Sequence, residues 1–562
     1  MRHPVPRLAL PIAALAATSG TAASAFQETT RVSVDSAGAQ ANDRSLTSSI
    51  SSDGRYVVFE SDAHDLVAGD GNSCTDVFVH DRTTGTTERV SVDSWGNEGD
   101  QRSNACYHQA ISDDGMLVVF QSSATNLDPN DTNGCDDVFV HDRASGTTVL
   151  VSVDSSGVVG NANSFSAAIS GDGRFVVFTS FASNLVANDS NGWTDVFVRD
   201  LVSGTTERVS VDSAGNQGDG GCLYSSVSSD GRFVAFESGS TNLVAGDTNG
   251  SDDVFVRDRQ AGTTERVSVD SSGAQGQGFS MWPSVSADGA FVAFESQATT
   301  LVPGDDNQRM DVFVRDRALG TTTRVSVDSS GAQADGDSVA PMIDPTGRFV
   351  AFDSWATNLV AGDTNHVDDV YVHDCVTGAT DRRSVDSSGS QADRVSMRPA
   401  ISAGGSVVAF ESIADDLVAA DTNGVVDVFV WDVCGALATW TNYGTGLPGT
   451  FGVPSFTAQR FPVLGATVTV DLANSLAAPT VGFLVVGFQR ADLPTCFGSD
   501  LLVLPAVIQP ITFSYGFDSF TGTISDDVTF CGATIDLQGV EADPGAQFGL
   551  SFSEGLELVI GS

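Results

Sequence analysis

Apolar residues in this chain fall into short runs of strand length, bounded by Gly, Asp, Asn and Ser, and the runs return at a nearly fixed distance. The phrase Asp-Val-(Phe/Tyr)-Val begins at Asp76, Asp137, Asp195, Asp253, Asp311, Asp369 and Asp427, spaced by 61 residues and then five times by 58. A second phrase, Ser-Val-Asp-Ser, carries its aspartate at Asp35, Asp93, Asp154, Asp212, Asp270, Asp328 and Asp386. Both phrases occur seven times, so the chain contains seven copies of one unit.

Within a unit the pattern predicts four strands. A short strand runs into an Asp-Gly turn, as at Ser51-Ser52-Asp53-Gly54-Arg55, and the apolar run from Tyr56 to Phe59 is the second strand. Asp-Gly between strands reads as a tight hairpin in which both central residues take positive φ. A long loop leads to the third strand, Asp76-Val77-Phe78-Val79. After a turn at Thr83-Thr84-Gly85, the alternating Glu88-Arg89-Val90-Ser91-Val92 suits an outer edge with one wet face. Four strands in a period of about 40 to 60 residues make one propeller blade.

The order of the phrases predicts how the ring closes. Thr29-Thr30-Arg31-Val32-Ser33-Val34-Asp35 is a fourth strand lacking the other three, and Asp427 to Trp431 is a third strand with no fourth after it. The N-terminal strand is therefore expected to complete blade seven. The expected fold is all-β: a seven-bladed propeller of four-stranded blades over residues 26–434, then a linker at 435–446 and a β-sandwich at 447–562.

Residues 1–25 carry Arg2 and Arg7, an apolar stretch from Leu8 to Ala17, and Ala23-Ser24-Ala25, which reads as a cleaved secretory signal. The stretch is shorter than the roughly 18 residues a membrane span needs, and no later segment qualifies as one. The chain is thus expected outside the cytoplasm, in the periplasm or at the cell surface. Without the signal, 72 acids face 25 bases, a formal charge of −47. That excludes nucleic acid and anionic membrane as natural partners and favours cations. The absence of lysine rules out Schiff-base chemistry and a Walker-type phosphate loop.

Between the second and third strands every unit keeps Asp, Asn two residues on, and Asp six residues on: Asp70, Asn72, Asp76; Asp131, Asn133, Asp137; Asp189, Asn191, Asp195; Asp247, Asn249, Asp253; Asp305, Asn307, Asp311; Asp363, Asn365, Asp369; and Asp421, Asn423, Asp427. Glycine follows the Asn at Gly134, Gly192, Gly250 and Gly424. Oxygen side chains so spaced around a tight turn are how Ca²⁺ is wrapped by one short loop. The competing reading is a repeated Asx turn. Seven acidic loops on one rim also repel unless cations sit between them.

Trp193 and Trp355 lie in those loops, Trp95 and Trp282 in the loops between blades, and both loop sets are expected on one face. Phe181 is in phase with Trp355, and Tyr107 and Tyr224 precede first strands. Aromatics with a wet edge suit a ligand surface, although they also plug gaps between loops. His80, His141 and His373 share one repeat position with Arg199, Arg257, Arg315 and Trp431, and so read as outward strand residues. Of eight cysteines, Cys496 with Cys531 and Cys375 with Cys434 are the candidate disulfides, while Cys74, Cys106, Cys135 and Cys222 fall in loops of one face.

At Ser229-Asp230-Gly231-Arg232-Phe233-Val234-Ala235-Phe236 and its counterparts the chain resembles the WD40-like repeats of the TolB family over about 400 residues. The resemblance implies the propeller fold. It does not carry a partner over, because TolB-like proteins join six blades to an N-terminal domain. The acidic loops resemble those of integrin-type calcium propellers but are two residues shorter and lack the central acid. Ser326-Val327-Asp328-Ser329-Ser330-Gly331 is similar to a sialidase Asp-box with its glycine one place late, which marks a turn. The segments Tyr443 to Gly449 and Gly549 to Leu558 resemble a C-terminal domain of large exported bacterial proteins.

No His-Glu-x-x-His or Gly-x-Ser-x-Gly occurs. The expected role is a monomeric, non-catalytic extracellular module that binds a protein or glycan. The alternatives are a propeller enzyme acting on polysaccharide through channel acids, and a purely structural envelope component.

Overall fold

The computed structural model describes residues 27–433 except His108, and beyond them residues 439–443, 453, 456–458, 467–473, 480–487, 490–494, 500–503, 507–513, 517–523, 534–542 and 550–559. The expected signal, Cys434, Cys496 and Cys531 lie outside the described residues.

Residues 28–432 form seven four-stranded antiparallel sheets. In blade 1 the strands Ser45–Ile50, Tyr56–Ser61, Asp76–Asp81 and Thr86–Arg89 lie side by side in chain order. Blades 2 to 6 repeat this order. Blade 7 takes Ser396–Ile401, Val407–Ser412 and Asp427–Asp432 from one end of the propeller and Glu28–Arg31 from the other, with Thr30 opposite Val430. The expected strand exchange is present.

The second and third strands are apolar on both faces because each sheet is covered by two neighbours. Phe59 stacks on Phe78 with ring centroids 5.8 Å apart, and a stacked aromatic pair recurs at this place in every blade, Phe352 on Tyr371 in blade 6 and Phe410 on Phe429 at 6.1 Å in blade 7. Blade 1 packs back on blade 7: a Cβ at Gly54 would sit 2.7 Å from Val407 Cγ2, and the Thr47 N–H donates to Glu411 Oε1 at 2.6 Å. The sheets therefore close into a ring.

The Asp-Gly hairpins differ from expectation. The Gly54 N–H donates to the Ser51 carbonyl and φ is +73° at Gly54, whereas Asp53 keeps negative φ. Asp53 Oδ1 accepts the Arg55 N–H instead, which fixes a turn needing only one left-handed residue.

The remainder of the chain clusters as a second unit, described here by itself. Its five-stranded sheet runs in the order Thr439–Tyr443, Leu550–Val559, Thr534–Ala542, Thr480–Gly487 and Val507–Phe513. A three-stranded sheet joins Phe456–Ala458, Thr467–Ala473 and Phe517–Thr523. A Cβ on Gly539 of the first sheet would meet Leu472 of the second at 2.5 Å. The expected linker at 435–446 is corrected: Thr439–Tyr443 is an edge strand, as the β-forming Thr-Trp-Thr-Asn-Tyr allows.

Candidate binding face and acidic loops

Each acidic loop is held by its own blade's outer strand. In blade 1, Asp76 is fully buried; its Oδ1 accepts Ser91 Oγ at 2.6 Å and its Oδ2 accepts Arg89 at 3.2 Å. The same Arg89 nitrogen lies 3.5 Å from Asp70 and 2.9 Å from Glu98, so Asp70, Asp76 and Glu98 converge on a guanidinium. Asn72 turns its amide toward Asp76 and donates to the Gly99 carbonyl at 2.8 Å, while its Oδ1 accepts the Cys74 N–H. This is an Asx turn. The residue after the Asn is left-handed in all seven blades, including the non-glycines Ser73, Gln308 and His366.

The arginine recurs. Arg31, Arg208, Arg266, Arg324 and Arg382 lie 3.4 to 3.8 Å from the first aspartate of their loops, each also pairing with the last. Gln40, Gln275, Gln333 and Gln391 add an amide to both acids, as Gln275 does to Asp247 at 2.8 Å and Asp253 at 3.0 Å. In six blades, then, the cation between the acids is the chain's own arginine, and these loops do not fit a Ca²⁺ as well. Blade 2 alone has Leu150 in that place. The signal was in the sequence as an arginine four residues before the aspartate of Ser-Val-Asp-Ser, absent once.

A second constellation lies on the axis. First strands line a propeller's channel, and here their third residue sits in a bulge: Thr47, Ser166, Trp282, Ala340 and Arg398 have φ between +49° and +53°. Each accepts support from the preceding blade. Glu237 accepts the Trp282 N–H at 3.1 Å, Glu295 that of Ala340 at 2.7 Å and Asp353 that of Arg398 at 3.1 Å; Glu60 accepts Ala105 in the same way at 2.9 Å. Burial pushes these carboxyls up, Glu60 and Glu295 to about 7 and Glu237 to about 8. These carboxyls are buried in second strands, and each accepts a backbone N–H of the next blade.

Tyr107, Tyr224, Trp282 and Arg398 come from blades 2, 4, 5 and 7 and meet one another. The Trp282 ring is 4.4 Å from Tyr224 and 5.6 Å from Tyr107, and the Arg398 guanidinium lies 5.0 Å over Tyr107. Side chains from four sides of the ring can meet only at its centre. Glu237 neighbours Ser238, which pairs with Asp253 at the start of the third strand, so the cluster lies toward the acidic-loop end of the channel. The cavity among Thr47, Tyr107, Trp282 and Arg398 is about 10 Å³, room for one water. Trp282 was expected in a loop and Tyr224 ahead of a first strand, and both lie instead within first strands, Ser280–Val285 and Cys222–Val227. Tyr107 follows the strand Ser103–Ala105.

Around this centre Trp193, Phe181 and Trp355 are exposed by 55, 55 and 62 % in the acidic-loop segments. Trp95 is 79 % exposed but stands apart: its turn docks on the next blade's outer strand, where the Thr148 N–H donates to Ser94 Oγ at 3.0 Å. The histidines are corrected too. His80, His141 and His373 are buried, with Nδ1 2.8 to 2.9 Å from Thr87, Thr148 and Thr380, and burial lowers their pKa, that of His80 to about 4. Cys74, Cys106, Cys135, Cys222 and Cys375 are free thiols. Cys375 is thus unbridged, and its expected partner Cys434 lies outside the described residues.

No family model matches this sequence, and no curated protein matches it. Among solved structures it is similar to a TolB from Agrobacterium tumefaciens, at 15 % identity over 50 % of this chain and 80 % of that one, TM-score 0.31. The WD40 repeats of RRP9 match at 11 % identity over 74 % and 99 %, TM-score 0.37. The extracellular domain of the hybrid two-component system BT4673 from B. thetaiotaomicron matches at 11 % over 85 % and 47 %, TM-score 0.36. The chain's own sheet pairing defines it as a seven-bladed β-propeller of four-stranded blades. Among the described residues no helix is long and apolar enough to cross a membrane.

Proposed function

We propose that this chain is an exported, non-catalytic binding module that holds a protein or glycan on its acidic-loop face, with Trp282, Tyr224, Tyr107 and Arg398 as the central anchor. The observation that carries this reading is the convergence of repeat-breaking side chains from four blades on one point. A repeat that served only the ring would place the same residue there seven times. Trp282 shares its φ of +53° with the bulge residues of four other blades, so the repeated backbone fixes where its ring stands. The cavity is too small for a small-molecule site, so the ligand lies across the surface and reaches outward to Trp193, Phe181 and Trp355.

The polysaccharide-enzyme reading has less support, because the raised carboxyls each accept a neighbouring blade's N–H. Export rests on the N-terminal segment. Glycan and secreted-protein arrays probed with the chain test the reading. Binding that falls at least tenfold in Trp282→Ala, and less in Trp193→Ala or Trp355→Ala, is expected; binding indifferent to all three changes would place the site elsewhere, and no binding at all would favour a structural component.

A further inference from the structure

Blade 4 lacks a pair of side chains beside the axial cluster. In blade 2 the carboxylate of Asp136, the residue before the third strand, accepts Ser123 Oγ and pairs with Arg102 at 3.6 Å. Asp252 is the same residue of blade 4, but Gly239 stands in the place of Ser123 and Gly221 in the place of Arg102. The backbone there is unchanged: the Gly239 N–H donates to the Gly221 carbonyl at 3.0 Å, as the Ser123 N–H does to that of Arg102. Blade 4 thus keeps the acid and has lost both side chains that hold it in blade 2.

The gap so left has two walls. Asp252 is exposed and leans over Gly239, with Oδ1 2.8 Å from the place of a Cβ there. The Trp193 indole of blade 3 lies 3.8 Å from the place of a Cβ at Gly221, and its own N–H is accepted by Asn191 Oδ1 at 3.0 Å, so the turn of the acidic loop presents the ring. Leu223, half-exposed, carries the surface on from Gly221 to Tyr224 of the axial cluster. Among the described residues no arginine or histidine pairs with Asp252. The arginines of this face are already taken: Arg44, Arg102, Arg309, Arg394 and Arg398 each lie 2.6 to 3.7 Å from an acid. Asp100, Asp219 and Asp335 are exposed on the same face without one.

We infer that this gap receives an arginine side chain of a protein partner, an inference that rests on the binding reading of this face. The incoming guanidinium takes the place that Arg102 fills in blade 2, paired with Asp252 and laid against the Trp193 indole. A planar cation that stacks on an aromatic ring and hydrogen-bonds a carboxylate is what these two side chains select together. The charge of the face agrees, since its own arginines are paired and an excess of acids is left to meet a basic surface. A neutral glycan would cover the indole and leave the carboxylate unused.

The test selects peptides that bind the full chain from a random library displayed on phage. Enriched peptides are expected to share an arginine. Their binding is expected to fall at least about tenfold in Asp252→Asn, and as much in Gly221→Arg, which fills the gap as blade 2 fills its own. Replacing the peptide's arginine by citrulline, which keeps the shape and removes the charge, should cost a similar factor, and raising the salt from about 0.05 to 0.5 M should weaken binding. Thermal unfolding of both variants like that of the wild type separates lost binding from lost fold. Arginine peptides indifferent to both variants, or a library that yields no arginine peptide, would overturn the inference. Peptides without arginine that lose binding in Trp282→Ala and keep it in Asp252→Asn would overturn it while leaving the axial anchor standing, and a neutral oligosaccharide bound alike by wild type and Asp252→Asn would overturn it in favour of a glycan.

Discussion

Ser33 Oγ donates a 2.6 Å hydrogen bond to Asp427 Oδ1, joining residues 394 positions apart. Inside every other blade the same bond is local, as between Ser268 and Asp253 at 2.6 Å. Ring closure thus reuses an ordinary intrablade contact. Ser33→Ala is expected to cost about 1.5–3 kcal/mol, as loss of a buried bond to a carboxylate does. Ser268→Ala should cost the same within about 0.5 kcal/mol by urea denaturation, and deletion of residues 26–36 should cost far more. A Ser33→Ala protein that unfolds like wild type would detach the N-terminal strand from blade 7.

The arginines inside the acidic loops carry a second expectation. Arg208 is nearly buried and pairs with Asp189 and Asp195 at 3.4 and 3.2 Å. Arg208→Leu puts in that place the leucine that blade 2 carries and leaves two buried carboxylates uncompensated. A loss of about 3–5 kcal/mol is expected. A change under about 1 kcal/mol would mean the pair is solvated.

Stability should depend on pH in two opposite ways. Glu60, Glu237 and Glu295 have folded-state pKa values raised by burial to about 7, 8 and 7 from 4.5, so the folded protein binds more protons than the unfolded chain between those values. Their contribution is fully present below pH 4.5 and is lost as pH rises to 8. Asp258, held down to about 2 by its hydrogen bond from Arg232, contributes above 3.8 and loses that contribution as pH falls to 2. Denaturation midpoints should fall from pH 5 to pH 8, and Glu237→Gln should flatten that slope. A slope unchanged in the variant would refute the assignment.

A turn glycine supplies the packing test. Gly231 has φ +70°, and a Cβ there would lie 2.1 Å from Phe175 of the preceding blade, a ring also covered by Arg174 and Arg259. Gly231→Ala combines backbone strain with overpacking and should destabilise by about 2–4 kcal/mol in thermal or chemical unfolding. A near-neutral effect would show that the blades are less tightly stacked.

Blade number and strand exchange were legible because a repeat makes each boundary visible seven times, down to the unmatched strand at Thr29 to Val34. The axial cluster was not. Ser280-Met281-Trp282-Pro283 shows no alternation, since a bulge breaks the two-residue rhythm there, and a residue's meeting with partners three blades away has no trace in local spacing. The burial of the histidines leaves no local trace for a related reason: a position that faces solvent in a lone sheet is covered by the next blade in a ring. Arg89 and its counterparts stand far from the acidic loops in sequence, and their role depends on a strand pairing that folds them back onto the loop.

The most direct test of the closed ring is an experimental structure of the propeller at a resolution that resolves strand register. Seven sheets are expected, with residues 28–31 antiparallel to residues 429–432 and Thr30 opposite Val430. Six or eight sheets, or an N-terminal strand lying away from Val430, would contradict the closure and with it the meeting of Tyr107, Tyr224, Trp282 and Arg398 on one axis.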